Sequence, residues 1–225
     1  MSTVIFDFDS TLINCESLEV ILQPVLQHRP ELEAQFKHLT DLGMNGEISF
    51  KESLQRRLAL ATPTRQAVQS FAANAAQYLT PGIQRLIREL QHNGVSVWII
   101  SGGLFDAIAP LARQLNIPVS QVLAVNIDWD AAGSFLQIKE CDICSESKVM
   151  AAQKVAVSWS KPSVMIGDGM TDYAVYLAGL SNYFIAYTEH VQRPALATLP
   201  ISKARNAEDL SQTLHTLLQP RNPAC

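Results

Sequence analysis

The chain has 225 residues, 48% of them hydrophobic and 17% charged, with a mean hydropathy of +0.08; this is the profile of a globular protein with room for a buried core, not of a disordered or fibrous one. A net charge of −4, a pI near 5.7 and the lack of any run of lysines or arginines argue against nucleic acid as a partner. No 18 apolar residues run together and no basic segment precedes a long apolar one, so neither a membrane span nor a secretory leader is expected, and a cytoplasmic protein is.

In chain order, Val4-Ile5-Phe6 predicts a short buried strand that runs out into acidic and hydroxyl residues. Residues 16–76 are rich in leucine, alanine, glutamine and glutamate and hold no convincing β run; Pro30, Gly43, Gly46 and Pro63 divide them into about four helices. A helix is expected after Pro81, then a strand over 95–100 ending at Ser101-Gly102-Gly103, a helix over 104–115 and a weaker strand over 122–126. Further on come a helix over 146–157, a strand over 163–166 ending at Gly167-Asp168-Gly169, a strand over 183–186, a helix over 207–218 and a frayed tail over 219–223.

Apolar strands that end in small polar residues and lead into helices are the pattern of βα units in a parallel sheet. The expected fold is therefore α/β, a Rossmann-like parallel-sheet core of residues 1–14 and 77–225 with a small helical cap, residues 15–76, inserted after the first strand. Ligands of such sheets bind beyond the carboxyl ends of the strands, so three strand ends far apart in sequence are expected to converge on one site, with the cap above it as a lid.

Four segments at those ends carry chemistry. Asp7-Phe8-Asp9-Ser10-Thr11 offers two carboxylates, with Phe8 expected to alternate away so that both face one cavity; alone, each aspartate reads equally well as a turn or helix cap. Ser101-Gly102-Gly103 pairs a hydroxyl with bare backbone that a phosphate can approach, although a plain turn also explains it. Lys148, near the start of a helix, is by itself an ordinary surface lysine. Gly167-Asp168-Gly169-Met170-Thr171-Asp172 supplies two hard carboxylates of the kind Mg²⁺ takes, and too few oxygens for a calcium loop. The cysteines, Cys15, Cys141, Cys144 and Cys225, are too sparse for a disulfide framework, and the single Cys141/Cys144 pair lacks the partners zinc requires; it reads as two small side chains in a loop.

In this order, DFDST, SGG, a helix-borne lysine and GDGMTD resemble the four motifs of the haloacid dehalogenase phosphatases. Closer features are similar to the phosphoserine phosphatases: Asn14-Cys15-Glu16, Met44-Asn45-Gly46-Glu47-Ile48-Ser49-Phe50, Ser53 to Arg57, Leu79-Thr80-Pro81-Gly82 and Leu115-Asn116-Ile117-Pro118. The resemblance implies that Asp7 is the nucleophile and Asp9 the acid, then base. It implies Mg²⁺ as cofactor, held by the Asp7 carboxylate, the Asp9 carbonyl and Asp168, with Asp172 in support. Ser101, Gly102 and Lys148 would bind phosphoryl oxygens with Thr171 beside them. Arg57 would clamp a substrate carboxylate, Glu16 would face its ammonium, and Met44 and Phe50 would form an apolar wall.

The partner implied is thus a small phosphorylated metabolite, most simply O-phosphoserine. Thr171 stands where many microbial relatives carry Asn, and residues 135–147, with their CDIC, depart from the usual loop. Phosphoethanolamine, phosphocholine, transfer to a small alcohol, or a silent binding module are the alternatives; Arg57 discriminates among the substrates.

Overall fold

The computed structural model describes residues 1–44 and 47–219. Strand β1 (Thr3–Phe6) leads through a helical turn over Phe8–Leu12 into four helices, α1 (Ser17–Leu26), α2 (Pro30–Met44), α3 (Phe50–Leu60) and α4 (Arg65–Asn74). The chain continues with α5 (Ile83–His92), β2 (Ser96–Leu104), α6 (Phe105–Gln114) and β3 (Val122–Val125). A hairpin of β4 (Ile127–Trp129) and β5 (Phe135–Ile138) and the short α7 (Ile143–Glu146) precede α8 (Lys148–Val155) and β6 (Ser163–Gly167). Last come α9 (Met170–Leu177), β7 (Tyr183–Tyr187), α10 (Pro194–Ala197), β8 (Ser202–Ala204) and α11 (Ala207–Leu218).

Six strands form a wholly parallel sheet in the order β3-β2-β1-β6-β7-β8. Because β1 is central it is buried on both faces, which is why its sequence is continuously apolar and does not alternate. Phe6 lies in register with Ile99 of β2 and Ile166 of β6, so the three chain segments leave the sheet side by side. From β1 the chain moves outward to β2 and β3, then returns to β6 on the other side of β1 and moves outward to β7 and β8, and this switch opens a crevice above β1.

The helices begin where capping residues stand. Ser49 accepts the N–H of Glu52, Thr64 that of Ala67, Ser147 that of Met150 and Asn206 that of Asp209, each satisfying an orphan donor of a first turn. Pro30 opens α2, where its missing N–H costs nothing. One hydrophobic core runs from the sheet into the helical segment through Leu22, Leu54, Leu58, Val68 and Phe71, and α4 packs on α6.

Several expectations need correcting. The SGG triplet does not turn directly into a helix: β2 continues to Leu104, with a register irregularity between Ile100 and Leu104 that the bare glycines permit. Phe8 does not alternate away in a strand; it is buried in the turn that follows β1. The Cys pair is not simply loop, since Cys144 is buried in α7 while Cys141 is exposed at a left-handed φ of 59°. The hairpin, α7, α10 and β8 lie outside the expected elements, each being too short for a periodic signal, whereas α9 is the helix expected after the glycine-rich end of β6. Gly46 and the tail beyond residue 219 lie outside the described residues.

Candidate active site

The turn after β1 brings both aspartates to the crevice by breaking the strand. Asp7 is still extended and donates its N–H to Ile166 O at 2.8 Å, which ties it to β6. Asp9 is extended as well, but Ser10 adopts φ 52°, and its hydroxyl donates to Glu16 Oε1 at 2.8 Å. This side-chain bond holds a residue other than glycine in the left-handed region and reverses the chain toward α1. Asp9 thereby comes to rest against the start of α1, where its oxygens meet the N–H and hydroxyl of Ser17 at 2.8 and 3.1 Å.

Asp7 is buried, and among the described residues both hydrogen bonds to its carboxylate fall on Oδ1, one from Phe8 N–H and one from Lys148 Nζ, each 2.7 Å long, with no donor on Oδ2. Lys148 is not a surface lysine: it opens α8, only 9% exposed, and its ammonium bridges Asp7 and Asp172 Oδ1, the latter at 2.6 Å. Asp172 Oδ2 accepts the Gly169 N–H at 3.1 Å, which fixes the start of α9. Oxygens of Asp7, Asp168 and Asp172 lie within 4.8 Å of one another.

Such crowding raises carboxyl pKa values. Burial pushes Asp7 up, with Asp168 adding to it and Lys148 opposing. Asp172 is pushed up to about 8 by burial and then by Asp7, against Lys148. Asp168 is raised by burial although Arg193 counters it. Asp9 rises well above the usual carboxylate range through burial, Glu16 and Asp7, with the Ser17 donors opposing. Burial works against the charge on Lys148, but Asp172 and Asp7 outweigh it and hold the ammonium above the usual lysine range.

Around the crevice, five carboxyl groups (Asp7, Asp9, Glu16, Asp168, Asp172) face three cations (Lys148, Arg57, Arg193). Fully ionised, the cluster carries two surplus negative charges in a poorly solvated place. Three buried carboxylates in mutual reach are the hard oxygen donors that suit a divalent cation, so the residues present fit a metal ion.

From the helical segment, Glu16, Phe50 and Arg57 close a small cavity of about 70 Å³ whose floor is Asp7, Asp9, Ser101, Gly102, Lys148, Asp168 and Thr171. Apart from Met44 and Asp172, every residue singled out in the sequence borders it; Asp172 lies just behind, and the Met44 side chain is outside what is described. Arg57 is 9% exposed, donates from Nε to Ser53 O at 3.4 Å and sits 5.6 Å from the Phe36 ring, but joins no ion pair among the described residues. Lys51 of α3 pairs with Glu146 of α7, linking the helical segment to the core.

The sequence reading missed Arg193. Its Nε and Nη2 reach Asp168 Oδ2 at 2.9 and 2.8 Å, and Nη2 lies 3.7 Å from Glu16 Oε1. It stands beyond β7 in a stretch without motif character, so nothing local marked it. The CDIC loop, by contrast, plays no part in the cavity; Cys141 and Cys144 border a separate surface hollow with Phe105, Val122 and Lys139.

Residues 4–177 match the haloacid dehalogenase-like hydrolase family. The chain belongs to that family. A phosphoserine phosphatase from Rattus norvegicus is 35% identical over 173 residues, 75% of this chain and 74% of its own length. The chloroplastic phosphoserine phosphatase of Arabidopsis thaliana is 32% identical over 200 residues, 88% of this chain and 66% of its own. Among solved structures, a phosphoserine phosphohydrolase-like protein from Francisella tularensis subsp. tularensis SCHU S4 superimposes with a TM-score of 0.91 at 42% identity, covering 95% of this chain and all 100% of its own.

As a haloacid dehalogenase-like hydrolase, this chain is a phosphoserine phosphatase-like phosphoric monoester hydrolase. Among the described residues no helix is long and apolar enough to cross a membrane.

Proposed function

We propose that this hydrolase cleaves O-phosphoserine to serine and phosphate through an aspartyl phosphate on Asp7, with Mg²⁺ as cofactor. The observation that carries the reading is the division of labour on Asp7: Oδ1 is held by Lys148 and the Phe8 N–H, while Oδ2 is left for attack on phosphorus. As Oδ2 bonds to phosphorus, the ester P–O bond breaks and Asp9 gives its proton to the departing serine oxygen. Water then attacks phosphorus, Asp9 takes its proton, and the bond to Asp7 breaks. Burial, Glu16 and Asp7 raise the Asp9 pKa well above the usual carboxylate range, a shift toward the acid form that the first of these roles uses.

Lys148, Ser101 and the Gly102 N–H support the equatorial phosphoryl oxygens, with Thr171 beside them. Mg²⁺ held by Asp7, the Asp9 carbonyl and Asp168, with Asp172 behind, would neutralise phosphate charge. Arg57, buried and without an ion pair among the described residues, suits the substrate carboxylate, and Glu16 its ammonium. Phe50, with Met44, walls the small substrate, and residues 15–76 act as a cap that excludes water.

The test is phosphate release with Mg²⁺ from L-phosphoserine, phosphothreonine, phosphoethanolamine, phosphocholine and pyridoxal phosphate. Preference for phosphoserine, lost on chelation and in Asp7→Asn, is expected. Preference for an ester without a carboxylate would overturn the substrate, and activity unchanged in Asp7→Asn would sink the nucleophile.

A further inference from the structure

Both oxygens of Asp9 are held by a single residue. Oδ1 accepts the Ser17 N–H at 2.8 Å, and Oδ2 lies 3.1 Å from Ser17 Oγ. Ser17 is buried and is the first residue of α1, whereas Asp9 belongs to the turn after β1. A third element adjoins this pair: a Cβ on Gly103, near the end of β2, would stand 3.2 Å from Ser17 Oγ and 3.3 Å from Asp9 Oδ2. These distances are tighter than side-chain contacts ordinarily are, so the second glycine of SGG leaves room for the clamp.

We propose that Ser17 is a positioning residue for Asp9, that Gly103 supplies the space it needs, and that the seat of α1 is thereby coupled to proton transfer. The inference rests on the reading of Asp9 as acid and base. An N–H only donates and so serves a carboxylate; a hydroxyl donates to the carboxylate and accepts from the carboxylic acid. Asp9 occupies both forms in each turnover: it loses its proton to the alkoxide oxygen as the P–O bond breaks, and regains one from water as the Asp7–phosphorus bond breaks. Ser17 Oγ gives Oδ2 a partner in either form, so the carboxyl need not rotate between the half-reactions. Shifting the first turn of α1 would swing Asp9 away from the leaving oxygen, and small misplacements of a reacting group are costly.

The experiment compares kcat/KM, which reports the steps through ester cleavage, for O-phosphoserine and p-nitrophenyl phosphate. Serine alkoxide needs a proton to leave, whereas nitrophenolate does not. In Ser17→Ala, kcat/KM for phosphoserine should fall about tenfold, the scale of one hydrogen bond to a charged group, with p-nitrophenyl phosphate changed by less than about twofold. Ser17→Thr, which keeps the hydroxyl, should restore phosphoserine cleavage, and Gly103→Ala should show the same selective loss. Equal losses on both esters, no loss in Ser17→Ala, or no rescue by Thr would overturn the proposal. Asp9→Asn separates the two levels. If it is selective for phosphoserine and Ser17→Ala is not, only the role of Ser17 falls; if Asp9→Asn is itself unselective, the acid assignment falls and the proposal with it.

Discussion

The ring of Phe50, in the first turn of α3, lies against the bare backbone of Gly102, where a Cβ would come within 2.3 Å of the ring's Cζ. The first turn of α3 and the SGG segment, the proposed phosphate cradle, thus meet at a point that admits no side chain. Gly102→Ala should push the ring aside and lower kcat/KM for phosphoserine about tenfold, with overpacking of roughly 1–3 kcal/mol as the cause. In a double-mutant cycle, Gly102→Ala should add little to Phe50→Ala, because the clashing ring is already gone. Strictly additive losses would show that the two residues act separately.

Arg57 carries its charge into a buried position against the Phe36 ring, and burial lowers its pKa although Glu16, Glu19 and Asp9 oppose this. Its charge is expensive to desolvate and, among the described residues, has no ion-pair partner to repay that cost. Arg57→Met should therefore lower kcat/KM for phosphoserine about a hundredfold, the scale of a bidentate charged contact, and leave phosphoethanolamine nearly unchanged. Thermal unfolding should show the variant to be at least as stable as the parent. A marked fall in Tm would mean that the guanidinium is a structural element instead.

Metal binding should be legible in the pH dependence of stability. A carboxyl whose folded pKa exceeds its unfolded value stabilises the fold fully below the unfolded pKa, and that contribution is lost as pH rises through the folded one. For Asp172 the window runs from about 4, the ordinary carboxyl value, to about 8. With a chelator present, Tm should fall from pH 5 to pH 8, and Asp172→Asn should flatten the slope. At a hundredfold excess over Kd, Mg²⁺ should add about 2.7 kcal/mol, roughly 5–10 °C in Tm. A flat chelated profile, or no shift with Mg²⁺, would contradict the crowded acidic cluster.

Thiol reactivity should follow burial. Cys15 and Cys144 are each pushed up to about 12, first by burial and then by neighbouring carboxylates, Asp9 for Cys15 and Asp142 for Cys144, while Cys141 is exposed. At pH 8 iodoacetamide should label Cys141 and spare Cys15 and Cys144 until the protein unfolds, because the thiolate is the reactive form. Peptide mapping checks this, and early labelling of Cys144 would show that α7 opens.

Much of the architecture was legible because its signals are local. β1 is central and dry on both faces, so its sequence is simply apolar; the four helices after it follow from composition and punctuation; and the polar residues that end β1 and β6 stand where the sheet delivers its side chains to the crevice. The SGG glycines misled because a turn and a bulged strand use the same residues, and only pairing with β3 distinguishes them. Short elements such as β8 and the β4–β5 hairpin carry too few residues for a period.

By itself, then, the sequence determined which groups are available: the carboxylates, the lysine, the bare backbone and the parallel strands that bring them to one edge. Tertiary structure alone decided how those groups share their bonds. Lys148 leaves the surface because Asp7 and Asp172 surround its ammonium; Arg193 reaches Asp168 from 25 residues away; and Ser17 grips Asp9 across the boundary between turn and helix. The reason is physical: an individual hydrogen bond depends on packing between segments distant along the chain, and no local pattern of residues encodes that distance.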